Sequence, residues 1–172
     1  QLKNSKISLA QKYIVVPASP SPAEVFAAEE LRKYFEIISG RKLEIKPENE
    51  IPCPAFNIGR TAGNVVFIEK HLKGRDLEAF IIKNESEGGN LRLIGNSDRA
   101  TLYAVYELLA RMGCVWVAPG ADYVPRNPNP SLDSGLKLYE PSMKYRQIRL
   151  IYPEIRGEWV KKCVDWSVKK RV

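Results

Sequence analysis

The sequence predicts an α/β (α+β) domain whose mixed β-sheet is covered mainly on one face by two long helices. Its elements follow in the order β-α-β-β-(α)-β-β-α-β, which combines a crossover connection with hairpins. The composition, 44% hydrophobic and 27% charged over 172 residues, is typical of a globular domain with its own core. No apolar stretch approaches the ~20 residues that a membrane span needs.

The first strand and the first long helix have clear boundaries in the sequence. Residues 13–16 (YIVV) form an apolar run that Pro17 ends. Residues 21–24 (SPAE) predict a capping box with proline at the first helical position, and Gly40 predicts a left-handed end. Between these boundaries one apolar stripe repeats at three- and four-residue steps, formed by Val25, Ala28, Leu31, Phe35 and Ile38.

Shorter elements follow the first helix. Residues 42–46 alternate between apolar and polar positions, which predicts a half-buried strand. Three prolines then mark a loop before a short strand at residues 55–58. The remaining elements of this part are a weak or irregular helix at 62–73 and two strands, 77–83 and 91–94, joined by a hairpin turn at 85–89.

The second long helix begins after residues 95–97 (GNS), and Gly113 ends it. Its apolar stripe consists of Leu102, Val105, Leu109 and Met112. Residues 114–117 predict a short apolar strand, residues 118–135 a long ordered loop with four prolines, and residues 136–139 a last strand.

Cysteine and histidine usage excludes several kinds of site. The three cysteines, Cys53, Cys114 and Cys163, are widely spaced and form no CxxC pair, so we expect no disulfide framework and no zinc site. His71 is the only histidine and lies in a polar stretch typical of a solvated helix end, so we expect neither a multi-histidine metal site nor a histidine-based triad. We therefore predict no metal and no cofactor.

The positive charge is concentrated near the end of the chain. Residues 141–172 carry nine basic and three acidic residues, a net +6, which leaves +1 of the total +7 for residues 1–140. A nucleic-acid-binding domain carries its basic patch on the folded domain itself, so this distribution argues against nucleic acid as a partner. A binder of anionic polymers through the basic tail stays an alternative.

The sequence changes character after Pro141. Residues 146–152 predict a strand, and residues 158–172 predict a helix that carries Trp159, Cys163 and Trp166 on one stripe and lysines on the other face. Two tryptophans on one stripe need a large apolar surface, which the sequence scarcely supplies. We therefore assign residues 1–140 to one domain and residues 141–172 to a linker and the start of a second unit.

One segment resembles a known family. Residues 99–120 (RATLYAVYELLARMGCVWVAPG) are similar to a signature of the N-terminal domains that precede the barrels of family 67 alpha-glucuronidases and family 20 beta-hexosaminidases. Related uncharacterised proteins of Bacteroidetes share it. The signature has glycine where this chain has Ala100. Weaker matches lie at residues 27–34, 58–61 and 124–125, and the resemblance extends over roughly residues 12–145.

The resemblance implies the N-terminal accessory domain of a secreted, periplasmic or cell-surface bacterial glycoside hydrolase that acts on complex polysaccharide or glycan. The chain opens on Gln1 without methionine, and we favour removal of a signal peptide over an arbitrary boundary. Residues 141–172 resemble a linker and the first βα unit of a truncated catalytic barrel. The expected partner is this C-terminal barrel, with carbohydrate as a second candidate.

No catalytic residue is predicted in the chain. Glycoside hydrolysis needs two carboxyl groups held about 5–9.5 Å apart across the scissile bond. The acidic residues of this sequence are instead scattered over a helix, a turn and a loop, as Glu29, Glu30, Glu85, Glu87 and Asp122. In the families that the chain resembles, the catalytic carboxylates lie on later barrel strands.

Six residues are candidates for contact with carbohydrate or with a second domain. Trp116, Pro119 and Tyr123 form an aromatic loop cluster that either stacks on a sugar or fills the space between two domains, and we favour the second. A carbohydrate-binding module that uses Trp116 and Tyr123 is the alternative. The other candidates are arginines in a tight turn, at a helix start and after the linker: Arg60, Arg99 and Arg146.

Overall fold

A computed structural model describes residues 6–50, 54–85, 89–143, 146 and 157–171. Its centre is a mixed sheet of six strands: β2 (Tyr13–Val16), β3 (Glu44–Pro47), β4 (Ala55–Ile58), β5 (Phe80–Asn84), β6 (Leu91–Gly95) and β10 (Gly135–Tyr139). Their order across the sheet is β10-β5-β6-β4-β2-β3. Strands β2, β3, β4 and β6 run parallel, whereas β5 and β10 run antiparallel to their neighbours.

Helix α1 (Pro22–Ser39) begins and ends where its capping residues, Ser21 and Gly40, predict. The Ser21 side chain accepts from the Glu24 amide, and the Glu24 carboxylate accepts from the Ser21 amide at 2.9 Å, which completes the capping box. Gly40 has φ 72° and its amide donates to the carbonyl of Glu36, so it provides the left-handed end.

Helix α3 (Asp98–Arg111) packs beside α1 on the same face of the sheet. Alternation along the strands selects this face, because Phe80 and Ile82 point into the main core whereas Ile81 points to the opposite side. Both long helices therefore cover one face of a mixed sheet, and the predicted fold class is confirmed.

In the described part of the chain, the opposite face of the sheet is covered only by a short helix and the turn that follows it. Helix α2 (Ala62–Phe67) continues into a π-helical turn at Ile68–Leu72, which agrees with the irregular helix predicted at 62–73. A second apolar cluster forms there beneath the turn, from Ile68, Leu72, Ala79, Ile81 and Ile94.

Several short strands depart from the predictions. The segment predicted as a loop at 118–135 contains β8 (Ala121–Tyr123) and β9 (Ser131–Asp133), and β1 (Lys6–Ser8) was not predicted. Strand β8 pairs with β7 (Val115–Ala118), and β9 pairs with β1 from the other end of the domain. Strands of three residues are too short to show a periodic signal, and the pairing of β1 with β9 joins segments far apart in the sequence.

Helix α4 (Glu158–Lys169) lies against α3 and β7. Trp166 is half-buried against the main core and Cys163 is buried, whereas Trp159 is exposed. The helix ends at Lys169, before the predicted limit at residue 172. The predicted strand at 146–152 lies outside the described residues except for Arg146, and the domain boundary after residue 140 stays a prediction.

Candidate functional site

The hairpin that follows α3 contributes to a hydrogen-bonded cluster of polar and aromatic side chains. Strands β7 and β8 pair Val115 with Tyr123 and Trp116 with Asp122 across the hairpin. Directly opposed residues share a face and successive residues alternate, so Trp116 and Asp122 point to the inner side. The turn between the strands contains Gly120, whose φ is 74°.

Trp116 lies in an aromatic pocket formed by both long helices. Its ring makes edge-to-face contacts with Tyr34 of α1, at a centroid distance of 5.2 Å, and with Tyr106 of α3, at 5.7 Å. The side chain is only 5% exposed. The Trp116 carbonyl also accepts a hydrogen bond from the indole of Trp166 at 3.2 Å, which connects α4 to the hairpin.

Lys169 at the end of α4 is the centre of the cluster. Its ammonium donates to the Tyr34 hydroxyl oxygen at 2.9 Å, to Asp122 Oδ2 at 2.7 Å and to Asp165 Oδ2 at 2.7 Å. The Tyr34 hydroxyl in turn donates to Asp122 Oδ2 at 2.7 Å. The Lys169 nitrogen lies 5.2 Å from the centroid of the Trp116 ring. We call Tyr34, Trp116, Asp122, Asp165 and Lys169 the Lys169 cluster.

The surroundings keep the Lys169 side chain charged. Burial acts to lower its pKa, but the hydrogen bonds to Asp122, Asp165 and Tyr34 outweigh that effect, so the pKa of Lys169 is raised above its ordinary value. Burial also raises the pKa of the Tyr34 hydroxyl, which therefore stays protonated. Burial, with a smaller contribution from Asp122, raises the pKa of the nearby Cys114 thiol to about 12.

These protonation states suit attachment better than catalysis. A Schiff-base lysine needs a lowered pKa and a neutral amine, whereas Lys169 is an ammonium whose three N–H groups all have acceptors. The carboxylates of Asp122 and Asp165 both bind this ammonium, which occupies the space between them. The cluster therefore holds α4 against the hairpin and α1.

The aromatic candidates do not share one surface. Trp116 faces inward beneath α4, whereas Tyr123 is on the outer face of the hairpin and is 60% exposed. Pro119 precedes the turn at Gly120 and is partly buried. The structure thus separates Trp116 from Tyr123, and the two rings do not form a joint stacking platform.

The arginine candidates lie at separate positions and contact protein groups. The Arg60 amide donates to Glu24 Oε1 at 2.9 Å, and its guanidinium donates to the Asn96 carbonyl at 2.9 Å. Arg99 is largely exposed and lies 3.7 Å from a carboxylate oxygen of Glu78. Neither Arg60 nor Arg99 contributes to the Lys169 cluster. The third candidate, Arg146, belongs to a second group of charged side chains.

Arg146 and Arg171 form a second charged attachment. The Arg146 guanidinium pairs with Glu78 and donates to the carbonyls of Met143 and Arg171, each at 2.9 Å. Arg171 pairs with Glu107 of α3 at 2.7 Å. Arg146, Glu78 and Arg171 line a cleft of about 270 Å³ beside the rings of Phe80 and Tyr139. Arg146 is paired inside the cleft with Glu78, whereas the partner of Arg171, Glu107, lies outside the lining of the cleft.

Glutamates occupy the edge of the sheet where parallel strands end. Helix N-termini at such an edge are ready sites for anions. Here the Glu24 carboxylate accepts from the amides of Ser21 and Arg60, and Glu48 accepts from those of Ala18 and Ala62. The carboxylates of Glu24 and Glu48 therefore already occupy backbone amides that could otherwise bind a phosphate, which argues against nucleotide binding at this edge.

Sequence reasoning missed Lys169, Asp122 and Tyr34. The sequence pattern places the lysines of this helix on the face opposite the tryptophan stripe and Asp122 among scattered acids. The available signal was the four-residue spacing of Asp165 and Lys169, which pairs them on one helix face next to the tryptophan stripe. The contribution of the distant hairpin has no local signature.

Two further findings concern the described part of the chain. Within it, no group of three or more histidine, cysteine or acidic side chains is placed to hold a metal ion. Of its helices, none combines the length and the apolar character that crossing a bilayer requires.

Solved glycosidase structures share the fold. A family GH115 4-O-methyl-alpha-glucuronidase with specificity for decorated arabinogalactans matches 81% of this chain with a TM-score of 0.56 and 19% identity, over 19% of its own chain. The GH20 beta-N-acetylhexosaminidase of Streptomyces coelicolor A3(2) matches 83% with a TM-score of 0.54 and 12% identity, over 25% of its chain. The chain thus spans a quarter or less of these enzymes.

Sequence comparison gives the family directly. None of the curated protein sequences compared with this chain matches it. Residues 1–108, more than half of the 172 residues, match the family described as Glycosyl hydrolase family 67 N-terminus. The chain therefore belongs to the glycosyl hydrolase family 67 N-terminal domain family.

Proposed function

We propose that this chain is a non-catalytic accessory domain of a longer, secreted glycoside hydrolase that acts on complex polysaccharide or glycan. The observation that carries the proposal is the family 67 N-terminal match over residues 1–108. The chain also spans only 25% and 19% of two glycosidases that share its fold. Catalysis then belongs to another part of the polypeptide, and this domain supports that part and contributes to one edge of its cleft.

The charges of the domain support a non-catalytic role. The Lys169 cluster contains two carboxylates and a lysine, but the lysine is bonded to both carboxylates and to Tyr34. Glu78 is likewise paired with Arg146 in the cleft. A general acid must release its proton to the substrate, and a nucleophile must reach the sugar carbon, so acids paired in this way are unsuited to glycoside hydrolysis.

Location outside the cytoplasm is part of the proposal because an external polymeric glycan is too large to cross a bacterial membrane intact. The partner is the catalytic barrel of the same polypeptide. Fractionation of the source cells tests the location separately from the activity, with a cytoplasmic enzyme as the control.

The purified 172-residue chain is expected to hydrolyse no aryl-glycoside, including aryl glucuronides and N-acetylglucosaminides. Release of the chromophore measures hydrolysis, and the natural full-length polypeptide serves as the positive comparison. Asp122→Asn and Glu78→Gln are the matched variants, because these carboxylates belong to the two charged groups. Turnover by the isolated chain that one of these substitutions abolishes would contradict the proposal.

The alternative function, a carbohydrate-binding module, has less support from the geometry. Trp116 is buried, so only Tyr123 of the two predicted rings is available to a sugar. Titration of the same purified chain with glucuronoxylan oligosaccharides separates the two functions. Saturable binding that is lost in Tyr123→Ala, with the fold intact, would favour the module over the accessory domain.

A further inference from the structure

The apolar side of α4 is wider than the surface that the domain covers. Cys163 is buried and Trp166 is half-buried against the domain. Val160 and Val164 lie one turn apart on an adjacent stripe and are 38% and 59% exposed, and Trp159 beside them is 43% exposed. Contiguous apolar side chains on one helix face indicate an interaction surface more often than isolated ones do.

The orientation of this exposed face is fixed by the contacts of the opposite side. Lys169 in the last turn of α4 donates hydrogen bonds to Asp122 and Tyr34, and the Trp166 indole donates one to the backbone of the hairpin. The ion pair between Arg171 and Glu107 continues the attachment to α3. The helix is therefore held on one side and presents a defined apolar stripe on the other.

We propose that the face formed by Trp159, Val160 and Val164 packs against the catalytic part of the same polypeptide, so that α4 is a helix shared by two units. This inference rests on the proposed function and adds the surface through which the accessory domain supports its partner. The matched glycosidases have three-quarters or more of their length outside the shared fold, which provides a partner on the same chain.

The size of the face favours a covalently linked partner over a second copy. Stable association of separate chains buries about 800 Å² on each partner, far more than three side chains expose. A linked domain is already present at a high effective concentration, so a small apolar contact is sufficient to fix its position. Together with the charged attachment of α4, this contact would hold the two units in one orientation.

Thiol labelling at Val164 tests the proposal. Val164→Cys is made both in the 172-residue chain and in the natural full-length polypeptide, and its rate of reaction with a maleimide is measured. We expect labelling about tenfold or more slower in the full-length protein, because covered positions react only when the contact opens. The unsubstituted proteins give the background rate of the native cysteines.

Glu158→Cys is the matched control on the same helix, because position 158 lies on the side of the helix opposite Val160. Glu158 is 77% exposed and pairs only with Lys161 in the described structure, so its cysteine should react equally fast in both proteins. Equal rates at Val164→Cys in both proteins would overturn the inference. A rate in the 172-residue chain that falls as its concentration rises would identify a second copy as the partner, which also overturns it.

Aryl-glycoside hydrolysis by the full-length protein is measured on the same samples. Hydrolysis without protection at Val164→Cys contradicts the proposed interface and leaves the proposed function standing. Protection without hydrolysis of any glycoside shows a covered face and contradicts the proposed function.

Discussion

At the scale of single residues, Lys169 is the side chain on which the attachment of α4 depends. An ammonium removed from water is strongly destabilising unless its donors are satisfied, and here Asp122, Asp165 and Tyr34 satisfy all three. The arrangement needs groups from α1, β8 and α4. It therefore specifies where α4 lies more strictly than apolar contacts between Trp166 and the core could do.

Lys169→Met should destabilise the domain because it removes the donor to the buried Tyr34 hydroxyl oxygen and the cation that pairs with Asp122 and Asp165. Breaking a buried pair costs about 3–5 kcal/mol, and partial solvent access of both aspartates reduces our expectation to about 2 kcal/mol. Urea unfolding followed by tryptophan fluorescence measures the change in the free energy of unfolding. Lys161→Met, at an exposed position, should change it by less than about 0.5 kcal/mol. Equal effects of the two substitutions would contradict a special role for Lys169.

At the scale of secondary-structure elements, local signals were sufficient for the helices and the longer strands. The capping box at Ser21, the left-handed Gly40 and the apolar stripes predicted α1 and α3 because caps and periodicity lie within a few residues of sequence. Strands β1, β8 and β9 were not predicted because each has three residues and pairs with a partner that local periodicity does not identify. The Lys169 cluster was not predicted for a similar reason, since its members come from several elements that are distant in the sequence.

Gly59 tests the contact between the β4–α2 turn and the cap of α1. Gly59 and Gly40 have nearly equal φ values, 73° and 72°, but an added Cβ at Gly59 would lie 2.0 Å from Glu24 Oε1, whereas nothing lies within 4 Å of one at Gly40. Gly40→Ala should cost about 1 kcal/mol for the left-handed backbone alone. Gly59→Ala should cost about 2 kcal/mol more, because Glu24 must leave its bonds to Ser21 and Arg60.

Thermal unfolding of the two alanine variants gives this difference directly, since the backbone strain cancels between them. Glu24→Gln is a third variant that keeps the side-chain shape and weakens the bonds to the amides of Ser21 and Arg60. Equal losses of stability in Gly59→Ala and Gly40→Ala would show that the Glu24 carboxylate moves aside without loss.

At the scale of the whole molecule, the Lys169 cluster and the buried groups around it share one electrostatic property, a raised pKa. The pKa is raised for Lys169, for the buried tyrosines Tyr34 and Tyr106 and for the thiol of Cys114. Burial is the principal cause for the tyrosines and the thiol, whereas hydrogen bonds to carboxylates outweigh burial for Lys169. All four groups hold their protons more tightly in the folded chain than in the unfolded chain. The fold is therefore expected to be sensitive to alkali.

The expected pH dependence follows from that direction. A group with a raised folded pKa gives its full contribution below its unfolded pKa and loses it as the pH rises toward the folded value. The unfolded pKa is about 9 for the thiol, about 10 for the tyrosines and about 10.5 for the lysine, so stability should be level from pH 7 to about 8.5 and then fall. Above pH 10 each group contributes up to ~1.4 kcal/mol per pH unit to this fall.

Cys114→Ala separates the thiol from the other groups. The unsubstituted chain should begin to lose stability near pH 9, and the variant should begin near pH 10, because the Cys114 thiol is the only one of the four groups that titrates in that interval in the unfolded state. Urea unfolding at half-unit pH steps measures both curves, and each is compared with its own value at pH 7 so that the small cavity left by alanine cancels. Identical onset of the fall in the two proteins would show that the Cys114 thiol is not held protonated by the fold. Stability that rises between pH 9 and pH 11 would contradict the common direction of all four pKa shifts.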